Sequence, residues 1–86
     1  MVQESFEKAV ADSKLLSKKP DNNTLLKLYS LYKQATQGDA DDDGPTNAFD
    51  FVGKAKYEAW DAIRGKSKDA AMDEYVQLVE ALKTAK

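Results

Sequence analysis

Tyr29, Tyr32 and Lys33 put two phenols and an ammonium within five consecutive positions, and Lys56 supplies a second cation four residues before Trp60. Residues three and four apart share one face of a helix, so the first three would project from a single turn if the backbone there is helical. Phenolic hydroxyls both donate and accept hydrogen bonds, and an ammonium brings three donors. Aromatic faces add a stacking surface, worth ~1–3 kcal/mol per base in single-stranded nucleic-acid sites. The set suits a phosphate carried on a flat aromatic ligand. It does not suit bond-breaking chemistry. The chain has no histidine and no cysteine, which removes the commonest general base, the commonest transition-metal ligand and any thiolate nucleophile. Ser13, Ser30 and Ser67 have no evident activating base, no carboxylate pair stands out, and Ser67 is better read as a helix cap. A binding protein is expected, not an enzyme, with no catalytic residue, no cofactor and no bound metal.

Size and composition narrow the setting. Eighty-six residues suffice for one domain, taken here as residues 1–86, and are too few for two. Hydrophobic residues make up 42% and charged residues 33%, ordinary for a folded soluble protein. The net charge of −2 selects neither nucleic acid nor an anionic membrane, so an anion must be held by locally placed cations. No apolar run reaches membrane-spanning length, and Met1 to Phe6 lacks the basic and apolar stretches of a secretory signal. The expectation is a soluble, cytoplasmic monomer.

Helical periodicity divides the chain into four segments. Phe6, Ala9, Val10, Ser13 and Leu16 mark one face of a first helix over roughly 4–17, ended by Lys18-Lys19-Pro20 because the residue before proline is pushed out of helical geometry. Asp21 suits the N-cap of a second helix, and Gly38 a left-handed residue just past its end. An Asp-rich loop runs from Gly38 to about Asp50. The third helix begins near Asp50 or Phe51 and stops at Gly65. Ser67 caps the fourth, with Asp69 in its first turn and Met72, Tyr75, Val76, Val79 and Leu82 as its buried stripe. The fold class is all-α, a four-helix bundle with one long connection.

At 100° per residue, Leu25, Leu26, Leu28, Tyr29, Leu31 and Tyr32 cover an arc of about 220°, where a core-facing helix needs ~100°. Lys33 lies inside that arc, whereas Lys27 points to the polar side. The third helix repeats the pattern. Phe51, Val52, Ala55, Ala59 and Ile63 share one side, Trp60 extends it, and Lys56 projects between Ile63 and Trp60. Either lysine alone could simply lay its methylenes on apolar surface and send its ammonium to water. Two of them, one beside a tyrosine pair, point to an anion site with an apolar wall.

The run Tyr29-Ser30-Leu31-Tyr32-Lys33-Gln34-Ala35-Thr36-Gln37-Gly38-Asp39 resembles the central motif of the acyl-CoA-binding protein family, also called diazepam-binding inhibitors. The resemblance continues in order through Lys18-Lys19-Pro20, Pro45, Gly53 to Trp60, Gly65-Lys66-Ser67 and Tyr75. It implies an up-down-down-up four-helix bundle that binds medium- and long-chain acyl-CoA, one per monomer, as an intracellular carrier and pool former, in transient contact with lipid-metabolic enzymes or membranes. Carried over by position, it implies Tyr29, Lys33 and Lys56 on the CoA 3′-phosphate, with Lys14, Tyr32 and Tyr75 around the adenine and adjoining head group. Phe6, Val10, Leu25 and Leu26 would line the groove for the acyl chain. The chain departs from the family's pattern at Tyr57, where Trp is common, at Pro45-Thr46-Asn47, where Pro-Gly is frequent, and at Asn22-Asn23, where acids are common.

Two other readings stand beside this one. Asp39, Asp41, Asp43, Gly44 and Asp50 fit positions 1, 3, 5, 6 and 12 of an EF-hand-like calcium loop. Against it, Asp50 replaces the usual bidentate Glu, Thr46 takes the normally apolar eighth position, and no second hand follows. A helical interaction module docking a partner helix on the wide apolar arc explains the apolar surface but not the tyrosines and lysines.

Overall fold

The computed structural model describes residues 2–16, 18–40 and 51–84. They form four helices: α1 (Val2–Ser13), α2 (Asn22–Gln37), α3 (Phe51–Asp61) and α4 (Lys68–Thr84). Two of the expected caps hold the helix starts. The Asp21 carboxylate accepts the Thr24 backbone N–H at 2.8 Å, and the Ser67 hydroxyl accepts that of Ala70 at 3.0 Å. Each satisfies a donor that a helix N-terminus leaves orphaned. Hydrogen bonds from the Thr24 side chain, and then from its backbone, hold Asp21 below the usual carboxylate range.

Three boundaries differ from expectation. Helix α1 spans 2–13 and not 4–17, because the chain tightens before it reaches Pro20. Lys14 and Leu15 donate to carbonyls only three residues back, and the Ser13 hydroxyl donates to the Val10 carbonyl at 2.7 Å. Helix α3 ends at Asp61, where Ile63 and Arg64 likewise bond three residues back and wind residues 62–65 into a turn that leaves through Gly65 at φ 93°. Gly38 does follow α2 with a positive φ of 84°, but its ψ of −148° lies in the extended region open only to glycine and not in the left-handed helical one.

Pairings between helices give the topology. Phe6 meets Tyr75 and Asp12 meets Lys83, so α1 and α4 run parallel. Tyr29 faces Lys56 and Lys33 faces Trp60, so α2 and α3 also run parallel. The end of α2 lies beside the start of α4, with Gly38 against Lys68, whereas its middle, at Tyr29 and Tyr32, reaches Tyr75. That antiparallel pairing makes the bundle up-down-down-up.

The core is drawn from α1, α2 and α4: Phe6, Ala9, Leu28, Leu31, Ala35, Ala71, Tyr75 and Val79, with Met72, Val76 and Leu82 packed on it. Each Leu- or Phe-sized side chain removed from water contributes about 1.5–3 kcal/mol. Helix α3 adds only Trp60 to the buried set, and its Phe51 and Val52 remain 77% and 65% exposed. Its apolar side therefore faces α2 without being sealed by it. At its N-terminal end the apolar side of α3 is the wall of a cleft.

Candidate functional site

Parallel packing of α2 on α3 crosses two cation–aromatic pairs. The Lys33 ammonium of α2 lies 5.0 Å from the Trp60 ring centre of α3, and the Lys56 ammonium of α3 lies 5.3 Å from the Tyr29 ring centre of α2. Residues 29 and 33 are one turn apart, as are 56 and 60, so the second pair repeats the first a turn away. Ring quadrupoles hold a cation at such distances with about 0.5–1 kcal/mol where water has access. Among the described residues neither ammonium pairs with a carboxylate, whereas Lys66 and Lys83 do, with Glu74 and with Asp12 and Glu80. Two cations parked on aromatic faces, with no carboxylate partner among the described residues, can be drawn off by an arriving anion at small cost.

Two open clefts adjoin these contacts, at Tyr29 and at Lys56, and a third shares lining residues with the first. One of about 320 Å³ gathers Val10, Lys14, Leu25, Tyr29, Tyr32 and Tyr75. Lys14 there lies just beyond the end of α1, free of the helix and exposed. Leu25 opens into a second, mostly apolar cleft of about 390 Å³ between α2 and α3, which also takes in Leu26, Phe51, Val52, Ala55 and Lys56. Val10 and Tyr32 are shared with a third, about 490 Å³, bounded by Phe6, Glu7, Lys68 and Met72.

Of the expected site residues, Tyr29, Tyr32, Lys14 and Tyr75 thus share one cleft, Lys56 sits at its apolar neighbour, and Lys33 stands over Trp60. Leu25 and Leu26 line the apolar cleft. Phe6 stands apart from them: it is buried in the core, stacked near Tyr32 (6.0 Å between centres) and edge-on to Tyr75 (5.2 Å). Tyr75 is also a core residue, its hydroxyl donating to Ser13 at 3.2 Å while its ring forms the floor of the tyrosine cleft.

Sequence reasoning missed the polar cluster behind the lysines. Gln34 is fully buried. Its amide nitrogen donates to Asp39 (2.8 Å) and to the Lys66 carbonyl (2.7 Å), and its oxygen accepts the Trp60 indole N–H at 3.1 Å. That indole also reaches the Gly38 carbonyl at 2.8 Å, and Asp39 accepts the Gly65 backbone N–H at 2.7 Å. The Gly65 bond first, and then that from Gln34, hold the Asp39 carboxyl below its ordinary range. Helical spacing carries no signal for Gln34, which falls about 60° outside the apolar arc, beside Lys27; the available signal was the requirement that a buried indole N–H find an acceptor.

Asp39, first position of the calcium reading, accepts the bonds from Gln34 and Gly65 both on Oδ1. Positions 41–50 of that loop, including Asp41, Asp43, Gly44 and Asp50, and the departure at Pro45-Thr46-Asn47, lie outside the described residues. Among the described residues no group of three or more Asp or Glu is arranged to hold a metal ion, and no helix is long and apolar enough to cross a membrane.

The family model described as Acyl CoA binding protein matches residues 3–79. The acyl-CoA-binding protein homolog 1 of Caenorhabditis elegans is 51% identical over 78 residues, covering 91% of this chain and 90% of that protein. Its Drosophila melanogaster homolog is 46% identical, over 95% of this chain and 94% of that one. The enoyl-CoA delta isomerase 2 of Rattus norvegicus is also 46% identical over 96% of this chain, but the match takes in only 21% of that protein. Among solved structures, the acyl-CoA-binding protein 2 of Oryza sativa superposes with a TM-score of 0.86 at 39% identity, over 95% of this chain and 90% of the other. A motif at Tyr29–Asp39, a shared up-down-down-up bundle and near full-length identity agree, and the chain belongs to the acyl-CoA-binding protein family.

Proposed function

We propose that this chain is a carrier that binds medium- and long-chain acyl-CoA thioesters, one per monomer, as a single binding domain. The reading rests on one observation above all: two lysines from different helices lie on aromatic faces, without carboxylate partners among the described residues, beside an apolar cleft. In this reading Tyr29, Lys33 and Lys56 hold the 3′-phosphate through charge-assisted hydrogen bonds, the ammonium groups leaving their rings to do so. Lys14, Tyr32 and Tyr75 surround the adenine and the adjoining head group, and Leu25 and Leu26 cover the acyl chain. Val10 and Phe6 belong with them less directly, Val10 on the rim of the tyrosine cleft and Phe6 as the packing behind Tyr32.

The energetics divide in two. A buried methylene contributes ~0.8 kcal/mol, so a long chain offers on the order of 10 kcal/mol before the costs of association and ordering are subtracted. The head group fixes orientation, and the chain supplies length-dependent affinity. The protein shields the thioester and does not turn it over, works in the cytoplasm as a monomer, and meets lipid-metabolic enzymes or membranes only in passing.

Calorimetric titration with palmitoyl-CoA, free CoA and palmitate side by side tests this. Tight one-to-one binding of the thioester, with much weaker binding of either half, is expected. Equal affinity for palmitate and palmitoyl-CoA would remove the phosphate from the account. With a thiol reagent present, CoA release stays at background, and sustained release would make the chain a thioesterase.

A further inference from the structure

The parallel α2–α3 pair needs something to fix its register, and most of what joins the helices cannot. The cleft contacts of Leu25, Leu26, Val52 and Ala55 are apolar, and hydrophobic contact is non-directional. At the other end of the pair Gln34 and Trp60 supply directional bonds. The single buried amide of Gln34 ties α2 to α3 through Trp60, to the α3–α4 turn through Lys66, and to the residue after Gly38 through Asp39. Its orientation is unambiguous: turned over, it would set its NH₂ against the indole N–H and its oxygen against a carboxylate and a carbonyl. Asp39 completes the loop by taking the Gly65 N–H.

We propose that Gln34 and Asp39 are positioning residues for head-group binding, acting through Trp60 to set the register of α3 on α2 and thereby the spacing of Lys33 and Lys56. The inference rests on the reading that these two lysines meet the ligand phosphate. Lys33 is Gln34's neighbour in the chain, and its ammonium lies over the ring that Gln34 holds. Lys56 is one turn before Trp60 on the same helix. A slip of α3 by one residue moves it 1.5 Å along its axis and swings its side chains by 100°, which takes Lys56 off Tyr29 and separates the two cations. Apolar contacts would tolerate such a slip better than two aimed ammonium groups. The network is therefore worth more to phosphate recognition than to the grip on an acyl chain.

The test compares CoA with 3′-dephospho-CoA, and palmitoyl-CoA with CoA, by calorimetry on the wild type, Gln34→Leu and Trp60→Phe. The Phe variant keeps a ring beneath Lys33 but no N–H, so it remains a folded probe if Gln34→Leu does not fold. Circular dichroism and urea melts set conditions in which each protein is fully folded. The wild type prefers CoA to 3′-dephospho-CoA; if it does not, the phosphate reading itself fails, and this inference with it. Given that preference, both variants lose about tenfold of it, while the affinity gained on adding the palmitoyl chain changes by less than about twofold. A variant that folds and keeps the full phosphate preference, or that loses chain and phosphate contributions alike, overturns the positioning role.

Discussion

At the scale of the residue, the two lysines carry the proposal. Charge-assisted hydrogen bonds are worth roughly 1.5–3 kcal/mol, so Lys33→Ala or Lys56→Ala should weaken binding about ten- to a hundredfold. The factor should be similar for octanoyl-, dodecanoyl- and palmitoyl-CoA, because in the proposed reading both side chains meet the head group in every case. Calorimetry across the series checks it, and a loss confined to long chains would move the lysines to the acyl end. Leu26→Ala should behave in the opposite way, since Leu26 lines the apolar cleft: palmitoyl-CoA is weakened several-fold and free CoA is untouched. These residues were legible in the sequence because a cation inside an apolar arc breaks a strong pattern. Their partners were less so. That Lys33 rests on Trp60 and Lys56 on Tyr29 depends on the direction and register of α3 against α2, which helical periodicity within one segment does not contain.

At the scale of the element, Asp39 links the end of α2 to the α3–α4 turn, and its titration gives the linkage a sign. Its folded pKa lies below the ordinary value of 3.8, so its contribution to stability is fully present above about pH 4 and is lost as the pH falls through the lowered value. Urea denaturation of the wild type and Asp39→Asn should therefore differ at pH 6 and converge near pH 2. A difference that is the same at both pH values would mean that the carboxylate charge does not matter. Lys83 has the reverse sign. Its bonds to Asp12, then Glu80, raise its pKa above 10.5, so that contribution is present at neutral pH and is lost only as the pH climbs through the raised value. Caps were readable at this scale, since Asp21 and Ser67 announce themselves by residue type before an apolar period. Helix ends made by the backbone tightening to bonds three residues back were not. Lys14 and Leu15 bond in that way and end α1 four residues earlier than Pro20 implied, and no proline or glycine marks the place.

At the scale of the molecule, α1, α2 and α4 make the core, and α3 packs on α2 to complete the clefts of the proposed site. Helices α1, α2 and α4 share the buried cluster, while α3 is attached through Trp60 and leaves Phe51 and Val52 in water. Truncating the core should be felt throughout. Leu31 is 2% exposed, and Leu31→Ala should cost about 2–5 kcal/mol in chemical denaturation, a large share of the 5–15 kcal/mol that holds a typical domain together. A cost below 1 kcal/mol would mean that the cluster is not the core. Ligand should stabilise the fold through α3, because the proposed site draws on the one helix the core does not enclose. The most direct test of where that ligand lies is a ¹H–¹⁵N spectrum of the labelled protein titrated with palmitoyl-CoA. Shifts that saturate at one equivalent and concentrate at residues 25–33 of α2 and 52–60 of α3 are the predicted result. Saturable shifts confined to the outer faces of α1 and α4, with Lys33, Lys56 and Trp60 unmoved, would contradict it.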